Sequence, residues 1–333
     1  MILLLAAPAA GSPLPGRDVV IDGLPGANDA RLSATATPDR YPIGDGSGAT
    51  VAVAVTSACQ IYCNAADPQR IASFLGTLIH GYEMELLTVQ LDTPSEIEFD
   101  CGFGAQACYY GGENRIVLSG NDTPSPDGAS REFVLAHEYG HHVAQHRESP
   151  PPFPAAIDWG TPRWSSYEHV CQRSRIGTLF PGDEGLHYFQ DPGEAFAEAF
   201  AQYRFPAAKV DWRWLPELKP NPAAFEAIRM DTLEPWLGRA AVRLEGRLPR
   251  DGGAIARSFR TPLDGTVSLR PTGQLAWRYK LSLLSPGGRV LRTSRHRPGH
   301  RLNFTICGQS RLRVAIRSTR RAGGAFKLQI QRP

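Results

Sequence analysis

No stretch of this 333-residue chain is long and apolar enough to cross a bilayer as a helix, which excludes a polytopic helical membrane protein. The longest apolar run, MILLLAAPAA at residues 1–10, is too short for that. It lacks a basic region ahead of it, but it ends in small residues and leads into GSPLPG, as the back half of a secretory signal peptide would. Acidic residues are almost missing after residue 246. That part holds 17 Arg and 2 Lys against Asp251 and Asp264, a net +17, so with +3 for the whole chain residues 1–245 carry −14. Two electrostatic opposites on one chain point either to a polyanion-binding tail or to a basic module that docks on its own acidic partner domain.

With 42% hydrophobic and 21% charged residues, the chain has the composition of a globular protein and the length for two domains. Cys59, Cys63, Cys101, Cys108, Cys171 and Cys307 are an even set that suits three disulfides in an oxidising compartment. Fifteen pairings are open. Cys101 and Cys108 bracket the Gly-rich GFGAQA, so a local bridge is the preferred pair; the alternative is a zinc site made by Cys59, Cys63, Cys101 and Cys108.

Residues 11–48, rich in Gly, Pro, Asp and Ser without periodicity, read as a leader or extension that could be a pro-segment or a linker. Beyond it, ATVAVAV reads as a strand and DPQRIASFLGTLIHGY as a helix with Ile71, Phe74, Leu75, Leu78 and Ile79 on one face. ELLTVQLD and EIEFD read as strands, and ACYYGGENRIVLSG as a hairpin turning at residues 111–114. REFVLAHEYGHHVAQHR, capped by Ser130 or Asp127, has helical composition and no proline. SSYEHVCQRSR reads as a short helix, DPGEAFAEAFAQYRF as a helix capped by Asp191 with Pro192 in its first turn, and NPAAFEAIRMDTLEPW as another. After about residue 245 the period becomes two: Leu275, Trp277, Tyr279, Leu281 and Leu283 alternate with polar or small residues, as do Leu312, Val314 and Ile316. The expectation is an α+β domain at 49–240 followed by a small all-β sandwich at 246–333.

HExxH on a helix sets His137 and His141 one turn apart, so both imidazoles point the same way and can take two corners of a zinc tetrahedron. Glu138 is then placed to act as general base on a zinc-bound water. A catalytic zinc needs a third protein ligand. The metzincin continuation is absent, since Ala144 and Arg147 stand where its Gly and His would be. Glu194 is the best candidate, four residues before Glu198 on a helix whose intervening positions are small or apolar.

HEYGHH followed by GEAFAE resembles the gluzincins, and the wide gap with the EAFAEAF string looks most like the anthrax lethal factor group within them. The likeness covers about residues 129–204. It implies a zincin-like fold for the domain at 49–240 and a peptidase with Glu194 as third zinc ligand and Glu198 as the carboxylate that orients a ligating histidine. It also implies a tyrosine seven residues before the third ligand, as oxyanion donor. Here His187 stands at that place and Tyr188 one residue later, so either could donate. His142 and His146 are expected to be supporting or surface residues, since residue 142 is rotated about a hundred degrees from His141. The C-terminal strands resemble the pre-peptidase C-terminal sandwiches of secreted bacterial peptidases. Their alternating arginines would suit an anionic cell-surface polymer, while the lack of interleaved aromatics disfavours nucleic acid. The rival reading is a secreted binding or adhesion protein whose zinc site is structural or degenerate.

Overall fold

The computed structural model describes residues 37–333 except 123, 125–127, 154, 209, 252, 273–278, 295–300, 309 and 319–323, with the backbone of Val19 and Val20. The signal-peptide reading, most of the leader, the Asp127 cap and the strand positions Leu275 and Trp277 lie outside the described residues. The fold is α+β. The helices in chain order are α1 (Ser57–Tyr62), α2 (Pro68–Leu75), α3 (Pro94–Cys101), α4 (Arg131–Gln145), α5 (Ala156–Trp159), α6 (Pro162–Tyr167), α7 (Val170–Arg175), α8 (Pro192–Arg204) and α9 (Pro222–Leu233).

Two compact units share the chain: Met1–His146 with Phe180–Phe225, and Arg147–Leu179 with Glu226–Pro333. The first is built on β1 (Val19–Val20), β2 (Asp39–Pro42), β3 (Thr50–Val55), β4 (Thr88–Asp92), β5 (Ala107–Tyr110) and β6 (Arg115–Ser119). They form one mixed sheet in the order β1-β5-β6-β4-β3-β2. β3, β4 and β6 run parallel, and β5 turns back on β6. Val51, Ala52, Val53 and Ala54 are all buried, as an interior parallel strand covered on both faces requires. The hairpin forms as its turn residues direct, with Asn114 in the left-handed region at φ 53°.

Two expectations are corrected. EIEFD is not a strand but the body of α3: Pro94 opens the helix, and Thr93 and Glu96 close a reciprocal capping box, with Thr93 N donating to Glu96 Oε2 at 2.8 Å. Ile97 and Cys101, one turn apart, then bury a helical face, and these local bonds outweigh the apparent alternation. The helix after Asp67 stops at Leu75, short of Ile79, with Gly76 as its C-cap donating to the Ala72 carbonyl at 3.1 Å; Gly76 packs so closely on Ile43 that a Cβ there would lie 2.2 Å from the Ile43 carbonyl oxygen.

The second unit contains β7 (Ala240–Leu248), β8 (Ala254–Thr261), β9 (Gly265–Thr272), β10 (Tyr279–Leu284), β11 (Val290–Thr293), β12 (Leu302–Ile306), β13 (Ser310–Ser318) and β14 (Gly324–Arg332). They pair antiparallel in two four-stranded sheets, β11-β10-β13-β8 and β12-β9-β14-β7. Leu281, Leu283, Leu312, Val314, Ile316, Phe326, Leu328 and Ile330 meet in one core, as the period-two pattern demands. Residues 147–179 belong to this unit, whereas composition alone divides the chain near residues 240–246. Long-range bonds make the difference. Arg147 donates to the carbonyls of Asp231 (2.8 Å) and Thr232 (2.9 Å), Asp264 N donates to Ser166 Oγ at 2.8 Å, and Cys171 is bonded to Cys307. SSYEHVCQRSR forms two short helices, α6 and α7, separated by His169 at φ 57°.

The remaining disulfides are Cys101–Cys108, as preferred, and Cys59–Cys63, so these four sulfurs do not form a zinc site. Three disulfides mark a protein that matures outside the reducing cytosol. Among the described residues no helix is long and apolar enough to cross a membrane.

Candidate metal centre

The centre is made by two helices of the first unit, α4 and α8, that pack against each other at Gly140 and Ala197. Ser130 caps α4 by accepting from Phe133 N at 3.2 Å, and Asp191 caps α8 by accepting from Gly193 N at 2.8 Å. α4 is buried from Phe133 to Ala144, and α8 from Pro192 to Ala201. Gly140 faces the backbone of Ala197, and small residues at this crossing let the helix axes approach.

At that crossing His137, His141 and Glu194 bring one ligand atom each within 4.8 Å of one another, all three buried. The Nε2 atoms of His137 and His141 are 3.2 Å apart, His137 Nε2 is 3.4 Å from Glu194 Oε2, and His141 Nε2 is 3.5 Å from Glu194 Oε1. A tetrahedral cation with bonds of about 2.0–2.1 Å has ligand–ligand edges of about 3.3–3.4 Å. The three side chains thus offer two nitrogens and a carboxylate at separations close to those edges, His137 meeting Oε2 and His141 Oε1 of Glu194, a donor set whose chemistry fits a divalent metal.

Protonation agrees with that fit. Burial pushes the His141 imidazolium down to about 3; the Glu194 carboxylate opposes this and His137 adds to it. The ring is neutral at physiological pH, as a ligand must be. Burial would raise the Glu194 carboxyl, but His141, His137 and the Tyr188 hydroxyl together outweigh it and hold it below its usual range. His137 Nδ1 lies 3.2 Å from Glu198 Oε2, and Glu198 Oε1 accepts from Gln202 Nε2 at 3.2 Å. With Nδ1–H donating to Glu198, the lone pair on His137 Nε2 is turned to the centre.

The structure brings Tyr188 to Glu194 and takes His187 away. His187 Nδ1 is 2.6 Å from Asp183 Oδ2, a bond that lowers the Asp183 carboxyl, and the ring stacks on Phe180 at 3.7 Å. Glu138 is fully buried within α4. His142 is buried support: its Nδ1 is 2.9 Å from the Tyr109 hydroxyl and its Nε2 2.8 Å from the Glu83 carbonyl. His146 is 2.8 Å from Asn114 Oδ1. Neither joins the centre. Sequence reasoning missed Trp214, whose ring lies 6.1 Å from His137 and 6.3 Å from Tyr188 and walls the site, with Trp212 packed behind it at 5.4 Å. The string DWRWLPEL has no periodicity from which to place them, and two tryptophans in a loop are its only signal.

No family model and no curated protein matches the chain. Among solved structures, a periplasmic inhibitor of g-type lysozyme from Aeromonas hydrophila is 9% identical with a TM-score of 0.22, over 28% of this chain and 85% of that one. Aminopeptidase A of Legionella pneumophila, solved with aspartic acid, is 10% identical with a TM-score of 0.25, over 88% of this chain and 37% of that one. This chain thus spans little more than a third of the aminopeptidase. At such scores neither likeness carries fold or activity across.

Proposed function

We propose that this protein is a secreted zinc-dependent metallopeptidase, closest in pattern to the lethal factor group of gluzincins. The observation that carries the reading is the convergence of His137, His141 and Glu194 at tetrahedral spacing, with Glu138 on the same helix. Two imidazoles and one carboxylate with an open corner are the ligand set of a hydrolytic zinc. Zinc held there would supply Lewis acidity and a bound water of pKa about 7. Glu138 takes the proton of the attacking water and delivers it to the leaving amine. Tyr188, beside Glu194, donates its hydroxyl hydrogen bond to the developing oxyanion, a part His187 cannot take while held by Asp183. Glu198 fixes the His137 ring and its tautomer.

Purified protein should carry one zinc per chain and cleave a mixed peptide library; chelation should stop cleavage and added zinc restore it. Metal at full stoichiometry with no cleavage of any peptide would sink the peptidase assignment. A Glu198→Ala variant should bind zinc about 10–100-fold more weakly, read by competition with a chelating dye. Equal affinity would remove Glu198 from the centre.

One observation favours the second reading, a secreted binding protein that engages an anionic polymer through its sandwich. On the exposed face of the β11-β10-β13-β8 sheet, Arg311 stands opposite Arg260 and Arg317 opposite Lys280. Like charges in register repel by about 0.2–1 kcal/mol per pair, and a polyanion would relieve them. The triple variant Arg260→Ser, Arg311→Ser, Arg317→Ser should elute from dextran sulfate at clearly lower salt than the parent. Equal elution would dismiss this surface. The two readings can hold together, since they use different units.

A further inference from the structure

The cations on the outer face of the β11-β10-β13-β8 sheet stand in a definite geometry. Leu312, Val314 and Ile316 point into the core, so Arg311, Arg313, Ala315 and Arg317 alternate outward along β13. Arg317 stands opposite Lys280 on β10, and Arg311 opposite Arg260 on β8. Between the two ends of this row the floor is small, because Ala315 pairs with Ser282 on one side and Ala256 on the other. At about 3.4 Å per residue, the row from Arg311 to Arg317 is about 20 Å long.

Among the described residues none of these five cations has a carboxylate within ion-pair reach. The other sheet differs, since there Lys327 meets Glu245 at 3.6 Å. A compact anion could touch only one end of a row of this length. A linear chain whose charges repeat along it could touch all five cations at once, and each contact made after the first is strengthened by the ones already formed.

The face also selects among linear polyanions. No aromatic side chain stands at an outward position of β10, β13 or β8, so nothing there stacks a nucleic-acid base. Leu284 is the one bulky apolar side chain at those positions and it is half-buried, which leaves no apolar stripe to sink into a lipid surface. Four of the five cations are arginines, whose planar fork takes two oxygens of one oxyanion. Sulfate esters and carboxylates both offer such a pair. The three disulfides fit a compartment outside the cytosol, where linear polyanions are glycans rather than nucleic acids.

From the row, the floor and the missing acids we propose that a linear polysaccharide bearing sulfate or carboxylate groups lies along β13, over Ala315, with its anions on Arg317 and Lys280 at one end and on Arg313, Arg311 and Arg260 at the other. This ligand and path rest on the polymer-binding reading and are independent of the metal centre.

The test titrates the full-length protein with size-defined heparin fragments, which carry sulfates, and with size-defined oligogalacturonates, which carry carboxylates alone. Oligothymidylate, polyglutamate and phosphatidylglycerol vesicles are the comparison probes. At least one saccharide series should bind saturably, and its affinity should rise about tenfold or more with length until the fragment spans about 20 Å, then level off. Arg313→Glu should weaken the long fragment about tenfold or more, whereas Arg243→Glu, the same change of charge on the outer face of the other sheet, should weaken it less than about twofold. Ala315→Glu leaves all five cations in place and sets an acid on the floor. It should match Arg313→Glu, and it keeps the test decisive if the arginine variant does not fold. Equal losses in Arg313→Glu and Arg243→Glu, saccharide affinity that does not change with length, or tighter binding of any comparison probe would each overturn the proposal while leaving the polymer-binding reading in place. No binding of any polyanion would sink both.

Discussion

Glu138→Gln should lower peptide cleavage by about 10²–10⁴-fold while the protein keeps its full zinc content, because the substitution removes a base and leaves the three ligands in place. Glutamine has nearly the volume of glutamate and no charge, so the fully buried site loses nothing in packing and carries one less buried anion. Thermal stability should therefore stay level or rise. Three readouts separate the meanings. Activity lost with metal retained supports the general base; metal lost with activity makes Glu138 a ligand; activity unchanged removes it from the mechanism. The parallel variant Glu194→Gln should behave oppositely, losing metal first, because a neutral amide oxygen is a far weaker zinc ligand than a carboxylate.

Gly140→Ala should cost both stability and metal affinity, although alanine is the better helix former by about 1 kcal/mol. A Cβ at residue 140 would lie 2.9 Å from Ala197 Cα, 3.1 Å from Phe200 Cβ and 3.2 Å from the Ala197 carbonyl oxygen. Two of these three atoms are backbone, so no side-chain rotation relieves the overlap and α4 and α8 must separate. Overpacking of this kind costs about 1–3 kcal/mol. The same displacement acts on the centre, since His141 follows Gly140 and Glu194 lies one turn before Ala197. Contacts now at 3.4–3.5 Å would open, and zinc affinity should fall at least tenfold. Denaturant unfolding of the metal-free protein and a chelator competition measure the two effects separately. Parent-like values in both would show that the helices meet with room to spare.

Much of the centre was legible before any fold was known, for a local reason. His137 and His141 are one helical turn apart, as are Glu194 and Glu198, and helix periodicity alone sets each pair on one face. The caps Ser130 and Asp191, the β5–β6 hairpin and the period-two strands of the sandwich are equally local signals. EIEFD misled because five residues can show alternation by accident, while the capping box that decides the matter pairs Glu96 with Thr93, which stands outside them. SSYEHVCQRSR misled less, since only the left-handed His169 splits the helix.

What the sequence by itself determined is therefore the pairwise content of each helix, the mixed α+β character and the two kinds of hydrophobic period. Only the tertiary structure decided that residues 61 apart, His137 and Glu198, share a hydrogen bond, that Tyr188 rather than His187 faces Glu194, and that Trp214 walls the site. It also decided that residues 147–179 belong with the sandwich, through a disulfide spanning 136 residues. The physical reason is the same throughout: periodicity and capping act within a few residues, whereas the approach of α4 to α8 at Gly140 is set by packing between segments that no local pattern connects.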